Sequence, residues 1–81
     1  MQCRVKLFAR ARDLARADEV SVALPDAATV ADLRRALASA YPALAGLLER
    51  SALAVDNEFA NDAQPVRPGA EVALLPPVSG G

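Results

Sequence analysis

Polar and apolar residues alternate along the first nine positions of the chain, which is the pattern of a strand with one buried face. The apolar positions are Met1, Cys3, Val5, Leu7 and Ala9. Phe8 departs from the pattern, because it is a large apolar residue on the polar face. Residues 19–24 alternate in the same way, so the two segments are predicted to pair as an antiparallel hairpin. Their connection, residues 10–16, is short and rich in arginine, and we expect a loop or a single turn of helix there.

Helical periodicity begins at Thr29, a favourable N-cap residue with Asp32 at the capping-box position. The residues that recur on one helical face, and are therefore predicted to be buried, are Val30, Leu33, Leu37 and Ala40. Those predicted to lie mainly on the outer side are Arg34, Arg35, Ala38 and Ser39. Pro42 ends the helix after Tyr41, because proline lacks a backbone donor. A further short helical segment that closes the core is predicted from Leu44, Leu47 and Leu48.

Three short strands are predicted in the second half of the chain. Residues 52–55 form the first, with Leu53 and Val55 facing inward, and residues 56–58 have the composition of a turn. Residues 59–60 return briefly, residues 64–69 form a loop, and residues 71–75 form the last strand. The predicted fold is α+β over residues 1–75, a mixed sheet with one main helix packed on one face, followed by a tail over residues 76–81.

One helix covers only one face of a sheet, so the opposite face is predicted to carry Phe8, Ala73 and Leu75. An apolar group on an uncovered face indicates a surface for a partner protein. The alternative is that Phe8 packs beneath residues 10–16, and the pattern alone does not distinguish the two arrangements.

Composition argues against several classes of function. Histidine is absent, so the commonest general base and metal ligand is missing. The single cysteine, Cys3, rules out an internal disulfide and is expected to be a small buried residue. The sequence has no glycine-rich phosphate loop and no metal-ligand spacing. A carrier or binding module therefore fits better than an enzyme with its own active site.

The charge pattern gives no reason to expect nucleic acid or an anionic membrane as a partner, because the net charge is −1. The N-terminal apolar run is interrupted by Arg4 and Lys6, so neither a signal peptide nor a membrane span is predicted. We therefore expect a soluble, cytoplasmic protein.

The tail reads Pro76-Pro77-Val78-Ser79-Gly80-Gly81. Each proline fixes its own φ and lacks a backbone donor, so the preceding strand cannot continue and an extended arm is predicted. Two glycines without side chains suit a terminus that enters a narrow channel and presents its carboxylate. The alternative is a frayed end without a function.

Several segments together carry a resemblance to a known family. They are Leu7-Phe8-Ala9, Ala11-Arg12-Asp13-Leu14, Thr29-Val30-Ala31-Asp32-Leu33, Leu53-Ala54-Val55-Asp56 and above all Gly69-Ala70-Glu71-Val72-Ala73-Leu74-Leu75-Pro76-Pro77-Val78-Ser79-Gly80-Gly81. Over its whole length the chain resembles the small subunits of molybdopterin synthase, which are sulfur carriers with the ubiquitin-like β-grasp fold. The double proline makes it less similar to the sulfur carrier of thiamine biosynthesis. Asp56 and Ala70 depart from the pattern, since such proteins often have Asn and an acidic residue there.

The resemblance implies a reaction at Gly81. An adenylating activating enzyme would use ATP and magnesium to convert the Gly81 carboxyl to an acyl-adenylate, and a sulfur donor protein would then leave a thiocarboxylate. The large subunit would supply the active site in which this sulfur passes to a cyclic pterin precursor. The chain would bind no cofactor or metal itself. The residues that would thread the tail into a partner are Pro76, Pro77, Val78, Ser79 and Gly80, and those that would contact the partner are Phe8 and Leu75.

Other functions remain open at this point. The chain could serve as a sulfur carrier in another pathway, or as a ubiquitin-like modifier that conjugates Gly81 to lysines through the same acyl-adenylate. It could also be a β-grasp interaction domain whose tail has no role.

Overall fold

The computed structural model describes residues 1–77. Within these residues, five strands and three α-helices follow one another in the order β1 (Gln2–Leu7), α1 (Ala9–Ala15), β2 (Glu19–Ala23), α2 (Val30–Ala40), a 3₁₀ turn (Pro42–Leu44), α3 (Ala45–Leu48), β3 (Ala52–Val55), β4 (Glu58–Ala60) and β5 (Val72–Leu75). Every predicted strand and the main helix are confirmed, with ends that differ by at most two residues.

The strands form one mixed sheet in the order β2-β1-β5-β3-β4. The first strand and the last are parallel neighbours at its centre, with Leu7 opposite Leu74. All other pairs are antiparallel, including the predicted β1–β2 hairpin. The ends of β1 and β5 therefore lie side by side, and the chain leaves the sheet there towards Pro76.

The core lies between the sheet and α2. The predicted helix face is confirmed at Val30, Leu33 and Leu37, which are all fully buried. The fourth position, Ala40, is exposed, so its assignment to the core was wrong. It lies in the last turn of α2, just before Tyr41 and Pro42 redirect the chain. As predicted, the 3₁₀ turn and α3 close the core with Leu44, Leu47 and Leu48.

The N-terminus of α2 is held by a complete capping box. The Asp32 N–H donates to Thr29 Oγ1 at 3.3 Å, and the Thr29 N–H donates to Asp32 Oδ2 at 2.9 Å. Two further amides of the first turn donate to the loop before β5, from Val30 to the Gln64 carbonyl and from Ala31 to the Asp62 carbonyl. These contacts satisfy N–H groups that have no partner within the helix.

Arg34 does not lie on the outer side of α2 as predicted. Its Nη1 donates to the carbonyls of Leu48 at 2.6 Å and Ser51 at 2.8 Å, and its Nε pairs with Asp62 at 2.9 Å. The side chain therefore ties α2 to the segment that leads into β3. Helical spacing did not reveal this, because the two acceptors are main-chain groups that α3 brings into position.

The first strand is shorter than predicted. It ends at Leu7, and Ala9 has a φ of 50°, which is incompatible with a strand, so the chain turns there into α1. Ala9 is accordingly exposed rather than buried. Residues 10–16, for which a loop or one turn was expected, belong mostly to α1, and Ala11 is its buried residue.

Candidate functional site

The face of the sheet that α2 does not cover has its own consistent composition. We call it the open face, and its residues are Gln2, Arg4, Lys6 and Phe8 from β1 and its end, Glu19, Ser21 and Ala23 from β2, Ala73 and Leu75 from β5, Ala52 and Ala54 from β3, and Phe59 from β4. The strand register aligns one row across all five strands, which is Glu19, Lys6, Ala73, Ala54 and Phe59.

The open face is divided into a charged half and an apolar half. The charged half lies over β2 and β1, where Arg4, Lys6 and Glu19 are exposed. The apolar half lies over β5, β3 and β4, where small alanine side chains form a shallow floor. Aromatic residues border this floor on both sides, since Phe8 is 47% exposed and Phe59 is 77% exposed. Exposed apolar groups that share one face of a small domain are typical of protein-interaction surfaces, so the open face is a candidate interface.

The structure brings together the two residues predicted to contact a partner. Leu7 and Leu74 are the last paired residues of β1 and β5, and Phe8 and Leu75 directly follow them along the chain. Phe8 is half exposed, so it is not a core residue, and part of its side chain stays accessible to a partner. Leu75 is half buried. Both residues adjoin the point where the tail leaves the sheet.

The tail itself is described only at its beginning. Pro76 is half buried and Pro77 is exposed, and neither belongs to a strand. The other predicted tail residues, Val78, Ser79, Gly80 and Gly81, lie outside the described residues.

Sequence reasoning did not assign Phe59 to this surface. Asp56 and Asn57 both have positive φ, at 51° and 70°, which is the conformation of a two-residue hairpin turn. Such a turn fixes the register and sets Phe59 opposite Ala54. The Asp-Asn pair was therefore a usable signal, because a two-residue hairpin places Phe59 on the same face as Ala54.

Among the described residues, two clefts have Lys6 in their lining. One, of about 430 Å³, lies beside Phe8 and is lined by Lys6, Leu7, Phe8, Arg12, Asp18 and Glu19. Arg12 and Asp18 pair across its rim at 3.7 Å. The other, of about 320 Å³, lies between the start of β1 and the loop before β5, with Arg4, Arg67 and Glu71 among its lining residues.

The buried side chains of Cys3 and Ser51 are not placed to act as nucleophiles. Burial raises the pKa of the Cys3 thiol, which favours its unreactive protonated form. The buried Ser51 hydroxyl donates to the Leu47 carbonyl at 2.7 Å and is thus structural. Within residues 1–77, no three residues among His, Cys, Asp and Glu are arranged to hold a metal ion. Among residues 1–77 we find no helix with the length and hydropathy of a membrane span.

Comparison with known proteins agrees with this picture of a small β-grasp domain. The chain is 35% identical over 83 residues to the molybdopterin synthase sulfur carrier subunit of Chlamydomonas reinhardtii, covering 100% of both chains. It is 36% identical to the protein of that name from Dictyostelium discoideum, covering 99% of this chain and 96% of the other. The crystal structure of the Haloferax volcanii small archaeal modifier protein 1 matches with a TM-score of 0.85 and 32% identity, over 95% of this chain and 98% of that one. The model of the ThiS family matches residues 5–81, and the chain belongs to that family.

Proposed function

We propose that this protein is the sulfur carrier subunit of a molybdopterin synthase and that it works in the cytoplasm. The names of its relatives from Chlamydomonas and Dictyostelium support this function. The structural observation that carries the proposal is the position of the apolar corner formed by Phe8 and Leu75. It lies where β5 releases the tail, so one partner can hold the sheet and receive the tail at the same time.

The chemistry takes place at the carboxyl group of Gly81. A carboxylate is a poor electrophile, so it first needs activation. One of its oxygens attacks the α-phosphorus of ATP on a separate activating enzyme, pyrophosphate leaves, and an acyl-adenylate forms. The terminal sulfur of a persulfide on a donor protein then attacks the carbonyl carbon, and AMP leaves. A second thiol cleaves the resulting acyl disulfide, so the donor is released in a disulfide with that thiol and the C-terminal group becomes a thiocarboxylate. Magnesium neutralises the phosphates of ATP during the first step, on the activating enzyme.

The large subunit is the partner that consumes this sulfur. Its active site would receive the tail and hold the cyclic pterin precursor that the thiocarboxylate attacks. The proline pair favours this delivery, because two fixed φ angles reduce the conformational entropy lost when the tail is ordered. Gly80 and Gly81 add no side-chain bulk, so their backbone can approach the walls of a narrow channel closely.

The open face would supply most of the contact area for docking. Phe8 is an aromatic anchor of the type that dominates binding energy at protein interfaces. Ala73 and Ala54 let the partner approach the sheet closely, and Phe59 limits the contact on the far side. The charged half would set orientation rather than affinity, since exposed charges contribute little to stability of a complex.

The proposal is tested by the intact mass of the full chain after incubation with its activating enzyme, a sulfur donor, ATP and magnesium. The expected mass gain equals one sulfur minus one oxygen, located at Gly81 by fragmentation. A variant that lacks Gly80 and Gly81 should remain unchanged in mass. Pyrophosphate release without any sulfur incorporation, in the presence of a competent donor, would contradict the carrier function.

A second candidate function is that of a protein modifier. It is favoured by the similarity to the Haloferax protein, whose name describes a modifier. The same acyl-adenylate would then be attacked by a lysine of a target protein, which leaves Gly81 in an isopeptide bond. Mass spectrometry of cell extracts separates the two functions: a carrier is recovered with a free thiocarboxylate, whereas a modifier is recovered in adducts that contain the Gly81 peptide. Full molybdopterin synthesis without Gly80 and Gly81 would instead indicate a plain interaction domain.

A further inference from the structure

The chain contains only one lysine. Nine residues are basic, of which eight are arginines and the ninth is Lys6. A guanidinium group stays protonated under physiological conditions and is therefore a very poor nucleophile. If the terminal carboxyl group of this chain becomes an activated acyl donor, very few amines of the chain can accept the acyl group. In this sequence they are the Lys6 side chain and the amine of Met1.

The Met1 amine is engaged in the fold. It donates to the Leu24 carbonyl at 2.6 Å and lies 3.8 Å from Asp26 Oδ1, and the Met1 side chain is only 8% exposed. These contacts extend the β1–β2 pairing by one residue, since Leu24 donates in turn to the Met1 carbonyl. Acylation at Met1 would remove a positive charge and crowd this end of the sheet. Lys6 is therefore the more accessible acceptor.

Lys6 lies at the centre of the charged half of the open face. It is exposed, two residues before Phe8, and stands in register between Glu19 and Ala73. Within residues 1–77 it takes part in no ion pair, so its ammonium group is not held in place by a carboxylate. Both clefts of the charged half have Lys6 in their lining, which leaves room for a substituent on either side.

We propose that Lys6 is the acylation site of this protein and that a group attached there prevents docking through the open face. The acyl donor is a mixed anhydride of a carboxylic acid and a phosphoric acid. The acyl-adenylate formed on Gly81 of a second copy of the chain is such an anhydride. The unprotonated Lys6 Nζ attacks the carbonyl carbon, the bond to the phosphate oxygen breaks, AMP leaves with the electron pair, and the nitrogen loses a proton to solvent. The product is an isopeptide between Gly81 of one copy and Lys6 of another. This inference rests on the proposed function, which supplies both the acyl donor and the docking partner.

Docking and acylation at Lys6 exclude each other for geometric reasons. A partner seated on Phe8, Ala73 and Leu75 covers the neighbouring position of Lys6, because all four belong to one face. A second copy attached to Lys6 covers the same area. A carrier bound to its partner is consequently protected from acylation, whereas an activated carrier that finds neither sulfur donor nor partner is consumed at this one residue.

The test uses the full chain in two parallel reactions. In the first, the chain is incubated with its activating enzyme, ATP and magnesium without a sulfur donor; pyrophosphate release reports activation of Gly81, and peptide mapping locates any linkage. In the second, acetyl phosphate is the probe, with and without the large subunit. Arg35→Lys is the matched control, because position 35 is on α2, away from the open face, and the arginine side chain is 72% exposed. Lys6→Arg keeps the charge at position 6 and removes the acceptor.

In the parent chain we expect an isopeptide linkage to Lys6 in the first reaction and acetylation of Lys6 in the second. In Lys6→Arg we expect neither modification at position 6. In the acetyl phosphate reaction, labelling of Lys6 should fall in proportion to the fraction of chain bound to the large subunit, while labelling at position 35 of the control stays constant. Pyrophosphate release with a linkage at Met1, or with no linkage, overturns the inference and leaves the carrier function standing. Equal labelling of Lys6 in the free and bound chain overturns the exclusion of docking. If the large subunit does not bind at all, the proposed function is refuted. The acylation site is then judged only from the residue that acetyl phosphate labels in the free chain: acetylation of Lys6 supports the assignment, and acetylation of Met1 overturns it.

Discussion

Replacing Phe8 with alanine separates the docking role of this side chain from its role in folding. Burial of a whole phenylalanine side chain is worth about 1.5–3 kcal/mol. Phe8 is 47% exposed, so folding buries only about half of it, and Phe8→Ala should lower the free energy of unfolding by about 1 kcal/mol. A partner that covers the exposed half of the Phe8 side chain withdraws a similar area from water. The Kd of Phe8→Ala for the large subunit should therefore be roughly fivefold to thirtyfold higher than that of the parent, or about 1–2 kcal/mol of binding free energy.

Two measurements check this reasoning. Calorimetric titration with the large subunit gives the Kd, and urea unfolding gives the free energy of unfolding of the isolated chain. Tyr41→Ala is a suitable control, because Tyr41 is a partly buried aromatic residue outside the open face whose hydroxyl donates to the Ser21 carbonyl. It should lose stability without losing affinity. An unchanged Kd for Phe8→Ala, or a loss of stability above about 3 kcal/mol as expected for a core aromatic, would refute the assignment of Phe8 to the interface.

Three further predictions concern the fold that positions the site. Leu37→Ala should lower the free energy of unfolding by about 2–5 kcal/mol, because Leu37 is fully buried; a urea midpoint close to that of the exposed variant Ser39→Ala would show that this helix face is not core. Arg34→Met should cost about 1–3 kcal/mol by leaving the Leu48 and Ser51 carbonyls without their donor, whereas Arg35→Met at a mostly exposed position should change little; equal urea midpoints for the two variants would contradict the structural role of Arg34. The Thr29 N–H and hydroxyl lower the pKa of Asp32, so Asp32 stabilises the fold above its unfolded pKa of about 3.9 and loses this effect as the pH falls towards the lower folded value. The stability difference between the parent and Asp32→Asn, measured by urea unfolding, should therefore shrink as the pH falls below about 4, and a difference independent of pH would rule out this contribution.

The main helix and the strands were predictable from the sequence, because the local sequence pattern and the burial seen in the fold indicate the same face of each element. The capping box at Thr29 and the spacing of Leu33 and Leu37 fixed α2 and its buried face. The alternation through Cys3 and Val5 fixed the first strand. Where prediction failed, the decisive contact was remote in sequence or the local cue was weak.

Particular residues show this limit. Ala40 has the right spacing for the core, but the helix ends there and nothing covers its face among the described residues. Ala9 continues the alternation, yet adopts a positive φ that no side-chain pattern encodes. Arg34 looks like a surface residue until α3 places two carbonyls beside it. For the site, the apolar corner at Phe8 and Leu75 was predictable from alternation, whereas Phe59 required the register that the hairpin turn imposes.

The most direct test of the account is synthesis of molybdopterin by the purified large subunit with a chain that carries one extra alanine after Gly81. The extension moves the terminal carbonyl by up to about 3.3–3.6 Å along the tail, and a misplacement of roughly 1 Å can already reduce a rate about a hundredfold. The change lies beyond β5, so the melting temperature should match that of the parent, which serves as the folding control. We predict no detectable product from the extended chain under conditions in which the parent chain is fully active. Product formation at the parental rate would contradict the claim that Gly81 carries the sulfur.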